Sequence, residues 1–370
     1  MKSGLNMQYI KNENRSTILY LLNRKGMLSR KEIAETTGLT AAAVTKICSK
    51  LIEEGYIKES GGVYKGDRKT GRKEILLSLC LEDKMILGIN AETNNITYSD
   101  SKMNGENLYQ KVTDFTADPD KIVKEAVDFL AENNLDASLL SGIGVCHVGS
   151  FTNSQYGLWD CNSLKEKLIS KFSLPVIFEN NVKAFAVAEL IFEGNSNESV
   201  IFLKWGPGIG SALAREGRVY SGTDNGITEI GHYITNRSGI KCRCGRYGCL
   251  ETETGEKAIL DAFDNKMTLE EIINSKSKQV GHVIDQKIDM VALALTNTAT
   301  IVDADKIILF GSIFKNETIA QKLTKQSIRY NSNMDADMIK IAKFNSKIGY
   351  IGPVGICAEA LFFEPGSDIF

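Results

Sequence analysis

The chain has 370 residues, of which 43% are hydrophobic and 24% charged, with a formal net charge of −2. That is enough for two or three domains with real cores, and no run of apolar residues is long enough for a membrane-spanning helix. The first thirty residues lack a secretory pattern, and eight cysteines without an export signal indicate reduced thiols in a cytoplasmic protein. Charge is uneven: residues 1–79 sum to +7 and the remainder to −9. A basic head on an acidic body points to a nucleic-acid-binding unit.

The pattern of the head is more specific than its charge. Ile18, Leu19, Leu21 and Leu22 form the buried stripe of a first helix that Gly26 ends. Ser29 and Glu32 have capping-box spacing and open a second helix. Thr36–Leu39 is a turn, and Thr40 is an N-cap for a third helix. There Val44, Ile47, Cys48, Leu51 and Ile52 share one apolar face, while Ala42, Thr45, Lys46, Ser49 and Lys50 share the other. Gly55 stops it. A strand at Tyr56–Glu59, a basic Gly-rich loop at Gly61–Lys73 and a strand at Ile75–Leu79 complete a winged helix-turn-helix over residues 1–80. Thr45 and Lys46 are placed to reach bases or phosphates, with Arg68 and Arg72 of the wing available for phosphates.

After a short link, strands and helices alternate twice through residues 85–370. Strands are expected at Met85–Ile89, with a hairpin partner through Ile96–Ser99, and at Ile143–Cys146, Pro175–Phe178, Ser199–Leu203, Ser211–Arg215, Ile307–Phe310 and Ile339–Phe344. Helices are expected at Asp118–Asn133, Leu164–Phe172, Val182–Phe192, Gly255–Phe263, Leu269–Asn274, Asp289–Ile301 and Gly352–Phe363. Two similar rounds imply a two-lobed α/β body with a ligand in the cleft. Between them, His232, Cys242, Cys244 and Cys249 have the donor types and spacing of a closed tetrahedral zinc shell, the segment 229–251 being its frame. The isolated Cys48, Cys80, Cys146, Cys161 and Cys357 read as small core residues.

Glu229–Ile230–Gly231–His232 and Cys242–x–Cys244–Gly245–x–x–Gly248–Cys249–Leu250–Glu251 resemble the ROK family, named for repressors, open reading frames and sugar kinases. Further anchors are Glu179–Asn180–Asn181, Gly206–Gly210 and Gly311–Ser312. The head is similar to the winged helix of ROK repressors through Ser29–Leu39 and Thr70–Lys73. The resemblance implies an actin-like, RNase H-like two-lobed fold, with sugar contacts at Asn180, Asn181, Glu229, His232 and Glu251. His232, held by zinc through one nitrogen, would offer the other as a donor.

Kinases of that family place a catalytic Asp in an E-N-D run, where this chain has Asn181, and open the domain with a Gly-Gly-Thr phosphate loop. Here that stretch is Ile89–Asn94, with no glycine and with Glu92, which should repel phosphate. Val148–Gly149 replaces a Pro-Gly pair, and Gly311–Ser312 replaces a Gly-Gly pair beside adenosine. An amide cannot take a proton at neutral pH. Glu179 is the nearest carboxylate and, in an extended approach, shares a strand face with Asn181. The expectation is therefore a sugar-responsive repressor with structural Zn²⁺, binding an operator in double-stranded DNA and a sugar or sugar derivative, as a homodimer or a dimer of dimers. The alternatives are an active ATP-dependent sugar kinase with a DNA-binding head, and a constitutive DNA-binding protein whose body only oligomerises.

Overall fold

A computed structural model describes residues 7–63, 74–149, 160–193, 198–220 and 228–364. The head begins with α1 (Met7–Lys25), β1 (Leu28–Ser29), α2 (Arg30–Thr37) and α3 (Ala41–Glu53). Local chemistry sets these boundaries. Ser29 and Glu32 form the capping box, Gly38 ends α2 at φ 71°, and the Thr40 side chain accepts from the Ala43 N–H. β2 (Ile57–Val63) and β3 (Glu74–Leu79) pair antiparallel, and β1 adds to the free side of β3. β2 extends beyond Glu59 because a bulge between Glu59 and Gly62 absorbs the glycines.

The first lobe holds β4 (Met85–Ala91), β5 (Asn95–Lys102), β6 (Asn107–Asp114), α4 (Pro119–Glu132), β7 (Leu140–His147), α5 (Cys161–Phe172) and β8 (Val176–Asn180). Its sheet order is β6-β5-β4-β7-β8, antiparallel on the hairpin side and parallel on the other. Helix α6 (Asn181–Glu193) leads to the second lobe: β9 (Val200–Trp205), β10 (Ile209–Arg215) and β11 (Arg218–Val219), then α7 (Leu250–Thr254), α8 (Glu256–Asp261), α9 (Leu269–Ile273) and α10 (Lys278–Val302). β12 (Lys306–Phe310), α11 (Glu317–Tyr330), β13 (Ile339–Ile341) and α12 (Ile351–Cys357) follow, and a π-helical turn spans Ala358–Phe363. The second sheet, β11-β10-β9-β12-β13, repeats the strand order and directions of the first. Each lobe thus opens with a strand whose hairpin turn faces the cleft, at residues 92–94 and 206–208. No described helix is long and apolar enough to cross a membrane.

The head and the first lobe share apolar packing. Ile18, Leu22, Val44 and Leu51 belong to one buried cluster with Ala184, Val187, Ile191, Ile356 and Phe362. The five isolated cysteines are all buried, as expected of core residues.

Candidate effector cleft and metal centre

The segment after β11 is built around four donors. Gly245 at φ 85° turns the chain back so that the Cys242 N–H donates to the Arg246 carbonyl at 2.7 Å. A side chain on Gly248, at φ 67°, would run into the Asn236 carbonyl. Only glycine permits that approach. The result brings one atom each of His232, Cys242, Cys244 and Cys249 within 4.8 Å of one another. Cys242 Sγ lies 3.5 Å from His232 Nδ1, and the Cys244 and Cys249 sulfurs are 3.6 Å apart. Tetrahedral edges for Zn–S near 2.3 Å and Zn–N near 2.0 Å are roughly 3.5–3.8 Å, so the shell fits that ion. Burial first, then the neighbouring sulfurs of Cys244 and Cys242, push the Cys249 thiol up to about 12. Crowded thiols of this kind are relieved by a bound cation.

His232 turns its other nitrogen, Nε2, toward Glu229, 3.9 Å from Oε2. Glu251 is the second residue of α7, two places after Cys249; its Oε2 accepts from the Ile209 N–H at 3.1 Å and its Oε1 lies 3.3 Å from Arg243 Nε. The metal loop therefore fixes Glu251 against the 206–208 turn. Gly208 leaves just the room that this carboxylate needs, because a Cβ there would sit 2.8 Å from Glu251 Oε2. Asn180 faces the same cleft from β8, donating through Nδ2 to the Gly149 carbonyl at 3.0 Å. Its Oδ1 accepts from the Val182 N–H at 2.9 Å and so caps α6. His147 ends the neighbouring strand; burial, with a hydrogen bond to Val148 opposing and the Lys183 charge adding, holds its ring down at about 4, which keeps it neutral.

The phosphate side of the cleft differs from the sequence expectation. Glu92 is not an isolated repulsive charge. Both its oxygens accept from Lys204 Nζ, at 2.5 and 2.7 Å, and Asn181 Nδ2 donates to Oε1 at 3.2 Å. Glu92 follows β4 of the first lobe and Lys204 lies on β9 of the second, so this buried pair ties the two hairpin turns across the cleft. The extended relation expected between Glu179 and Asn181 is also corrected. β8 ends at Asn180 and Asn181 is already helical, because the Asn180 side chain nucleates the helix there. Glu179 is tied to the Asn180 N–H at 2.7 Å, and burial raises its carboxyl above the ordinary value.

On the head, Thr40, Ala42, Thr45, Lys46, Ser49 and Lys50 are all exposed on one side of α3, opposite the buried Val44, Cys48 and Leu51. The Thr45 hydroxyl donates to the Ala41 carbonyl at 2.8 Å, and Lys50 pairs with Glu54 at 3.4 Å. Arg68 and Arg72 lie outside the described residues.

Comparison with known proteins agrees with this geometry. The model of the ROK family matches residues 86–359. The chain belongs to the ROK family. A winged helix-turn-helix DNA-binding model matches residues 11–58. The xylose repressor of Bacillus subtilis is 24% identical over 326 residues, covering 83% of this chain and 84% of that one. The N-acetylglucosamine repressor of Escherichia coli O157:H7 is 27% identical over 271 residues, covering 69% and 65%. Among solved structures, a ROK family transcriptional regulator described as a homolog of the E. coli MLC protein superposes with TM-score 0.77 at 22% identity, over 96% and 97% of the two chains. A ROK family glucokinase from Streptomyces griseus, in complex with glucose and AMPPNP, superposes with TM-score 0.65 at 17% identity, over 75% and 100%. The ROK match thus covers residues 86–359, with a winged helix in front of it.

Three residues of the ROK cleft escaped the sequence reading. Lys204 is the lone charge in the apolar run Ile201–Trp205, and Lys183 is the lone cation in the apolar first turns of α6. Both are buried, and a charge inside an apolar element was the available signal. Arg243, which holds Glu251, carried none, because its partner depends on how the metal loop closes.

Proposed function

We propose that this protein is a sugar-responsive transcriptional repressor, in which the winged helix binds an operator and the ROK body binds a sugar or sugar derivative without phosphorylating it. The division of labour is residues 1–80 for DNA and 85–370 for the effector. The observation that carries the reading is the Glu92–Lys204–Asn181 network, in which the turn that would receive phosphate is filled by the protein's own carboxylate. Asn181, where family kinases place the catalytic Asp, is an amide that cannot take a proton at neutral pH and already donates to Glu92. The opposite side of the cleft keeps groups suited to hydroxyls: Asn180, Glu229, His232 Nε2 and Glu251.

His232, Cys242, Cys244 and Cys249 would hold a structural Zn²⁺, whose contribution is to fold the loop and fix Glu251 and His232. The repressor names of the relatives support a sugar effector, and helix-turn-helix proteins read paired half-sites, which supports a homodimer or dimer of dimers working in the cytoplasm.

The test has two arms. In a thermal-shift screen of D-xylose, D-glucose, N-acetyl-D-glucosamine and their phosphates, at least one compound raises the melting temperature by mass action. On a duplex selected from a random pool by the full-length protein, Lys46→Ala weakens binding by about tenfold and lowers the salt slope, while Thr45→Ala shifts base preference. A flat screen together with DNA binding indifferent to both substitutions would refute the proposal.

A further inference from the structure

Helix α6 ends in two different places. Its first residue, Asn181, lies in the cleft, and the side chain that caps it, Asn180, is a proposed sugar contact. At its other end, Asn23 of the head donates through Nδ2 to the Ile191 carbonyl. Ten residue steps from Asn181 to Ile191, at about 1.5 Å each, put these points roughly 15 Å apart on one unbroken rod. Nearly every side chain from Asn181 to Ile191 is buried, so the rod cannot shift without its neighbours.

Its closest neighbour is α12. Gly352 lies over Ala184, and a Cβ on Gly355 would sit 2.6 Å from the Ala188 Cα. Two helices this close move as one piece. α12 runs directly into the π-helical turn, and that turn carries the rest of the head's seat. Ser16 Oγ donates to the Phe363 carbonyl at 2.6 Å, and the Tyr20 ring stacks on Phe363 with centroids 4.7 Å apart. The Tyr20 hydroxyl donates to Glu364 Oε1 at 3.3 Å, and the Tyr56 hydroxyl to the Leu361 carbonyl at 3.4 Å. The second lobe touches the same seat through β11, where Arg218 lies 3.8 Å from Glu13 and 3.6 Å from Glu364. The head therefore rests on both lobes at once, and a change in their relation must alter its seat.

We propose that the α6–α12 pair transmits effector binding from the cleft to the DNA-binding head, with Asn23 and Tyr20 as the positioning residues that read its far end. This rests on the effector reading above. A sugar that engages Asn180 acts on the cap of α6 itself. Contacts to Glu229 and Glu251 change the lobe spacing that Arg218 reports at the head. The coupling is a ratio of affinities, so it can be lost while both affinities remain.

The experiment uses the full chain with whichever of D-xylose, D-glucose, N-acetyl-D-glucosamine and their phosphates raises the melting temperature most. Operator affinity is measured with and without that sugar for the unmodified protein, Asn23→Ala, Tyr20→Phe and, as a control on an exposed head position, Lys31→Ala. Expected is at least a fivefold effect of sugar on the unmodified protein and on Lys31→Ala. Asn23→Ala and Tyr20→Phe should reduce it below twofold, with sugar affinity and sugar-free DNA affinity each within about threefold of the original. Hydrogen exchange on the unmodified protein provides a second reading that needs no variant: sugar should change exchange at least threefold in both residues 16–24 and 188–193. Protection confined to the cleft, or full coupling in both variants, overturns the transmission proposal and leaves the effector reading standing. No stabilisation or protection by any compound of that set overturns both.

Discussion

The side of the cleft proposed to hold sugar and the side where family kinases receive phosphate are built from equivalent parts in opposite states. Each lobe presents a hairpin turn to the cleft. In the second lobe the turn 206–208 keeps its glycines, and Gly208 leaves room for Glu251 to accept the Ile209 N–H. In the first lobe the turn carries Glu92, and this carboxylate is closed off by Lys204 and Asn181. One side presents hydrogen-bonding groups held by the His/Cys loop; the other is an internal ion pair. On the proposed reading, the difference means that binding and catalysis in this architecture occupy separable pieces of chain, so one can be lost while the other is kept.

The comparison breaks most sharply at Lys204. Lys204→Met leaves the partly buried Glu92 without its cation and should destabilise the protein by about 3 kcal/mol, whereas Glu92→Gln with Lys204→Met should recover most of that loss. Chemical denaturation of the three proteins checks it; a Lys204→Met protein as stable as the parent would mean that the pair does not hold the lobes. On the other side, Cys244→Ser should lower zinc content from about one ion per chain, cost on the order of 3 kcal/mol and weaken sugar binding. Elemental analysis, melting and calorimetry of the same preparation decide that, since metal-free protein with an unchanged melt would remove the metal from the account.

A smaller effect lies between the two sides, on α6. Glu189 is buried; one oxygen accepts from the Lys343 N–H at 3.2 Å and the other has no hydrogen-bond partner. Burial first pushes its carboxyl up to about 7, with the Lys343 N–H opposing and Glu193 adding. The folded chain therefore holds this proton to higher pH than the unfolded chain, from an ordinary value of 4.5. The contribution to stability is full below about 4.5 and is lost as pH rises through about 7. Glu189→Gln should be more stable than the parent by roughly 1–3 kcal/mol at pH 8 and equal to it at pH 4, because an amide keeps the acceptor without the charge. Parallel pH dependences for the two proteins would contradict this.

What was legible in the sequence was local. Capping by Ser29, Glu32 and Thr40 acts over a few residues, and the clustered His232, Cys242, Cys244 and Cys249 lie in one short segment, so residue type and spacing are enough to find them. The two-round alternation of strands and helices also survives, because each element carries its own period. Elements whose reason is tertiary were missed. β1 has two residues and exists only as a partner of β3, and β6 is a half-exposed edge strand with no apolar run. α10 starts at Lys278 rather than Asp289. Its first turns are polar on one face, but Val280, Ile284 and Ile288 supplied a helical stripe that was available to be read. The pairing of Glu92 with Lys204 joins positions 112 apart in the chain, which no local pattern reports. A lone carboxylate in a phosphate loop was therefore read as repulsive when it is neutralised from the other lobe.

The central claim, a cleft that binds without catalysing, is tested most directly by coupled ADP release from the unmodified protein. The assay uses ATP, Mg²⁺ and a saturating concentration of the sugar that gives the largest thermal shift. General-base assistance alone is worth roughly 10²–10⁴-fold and positioning of phosphates more, so the account predicts a rate indistinguishable from the sugar-free background. Sustained, sugar-dependent ADP release would contradict it and return this chain to the kinases of its family.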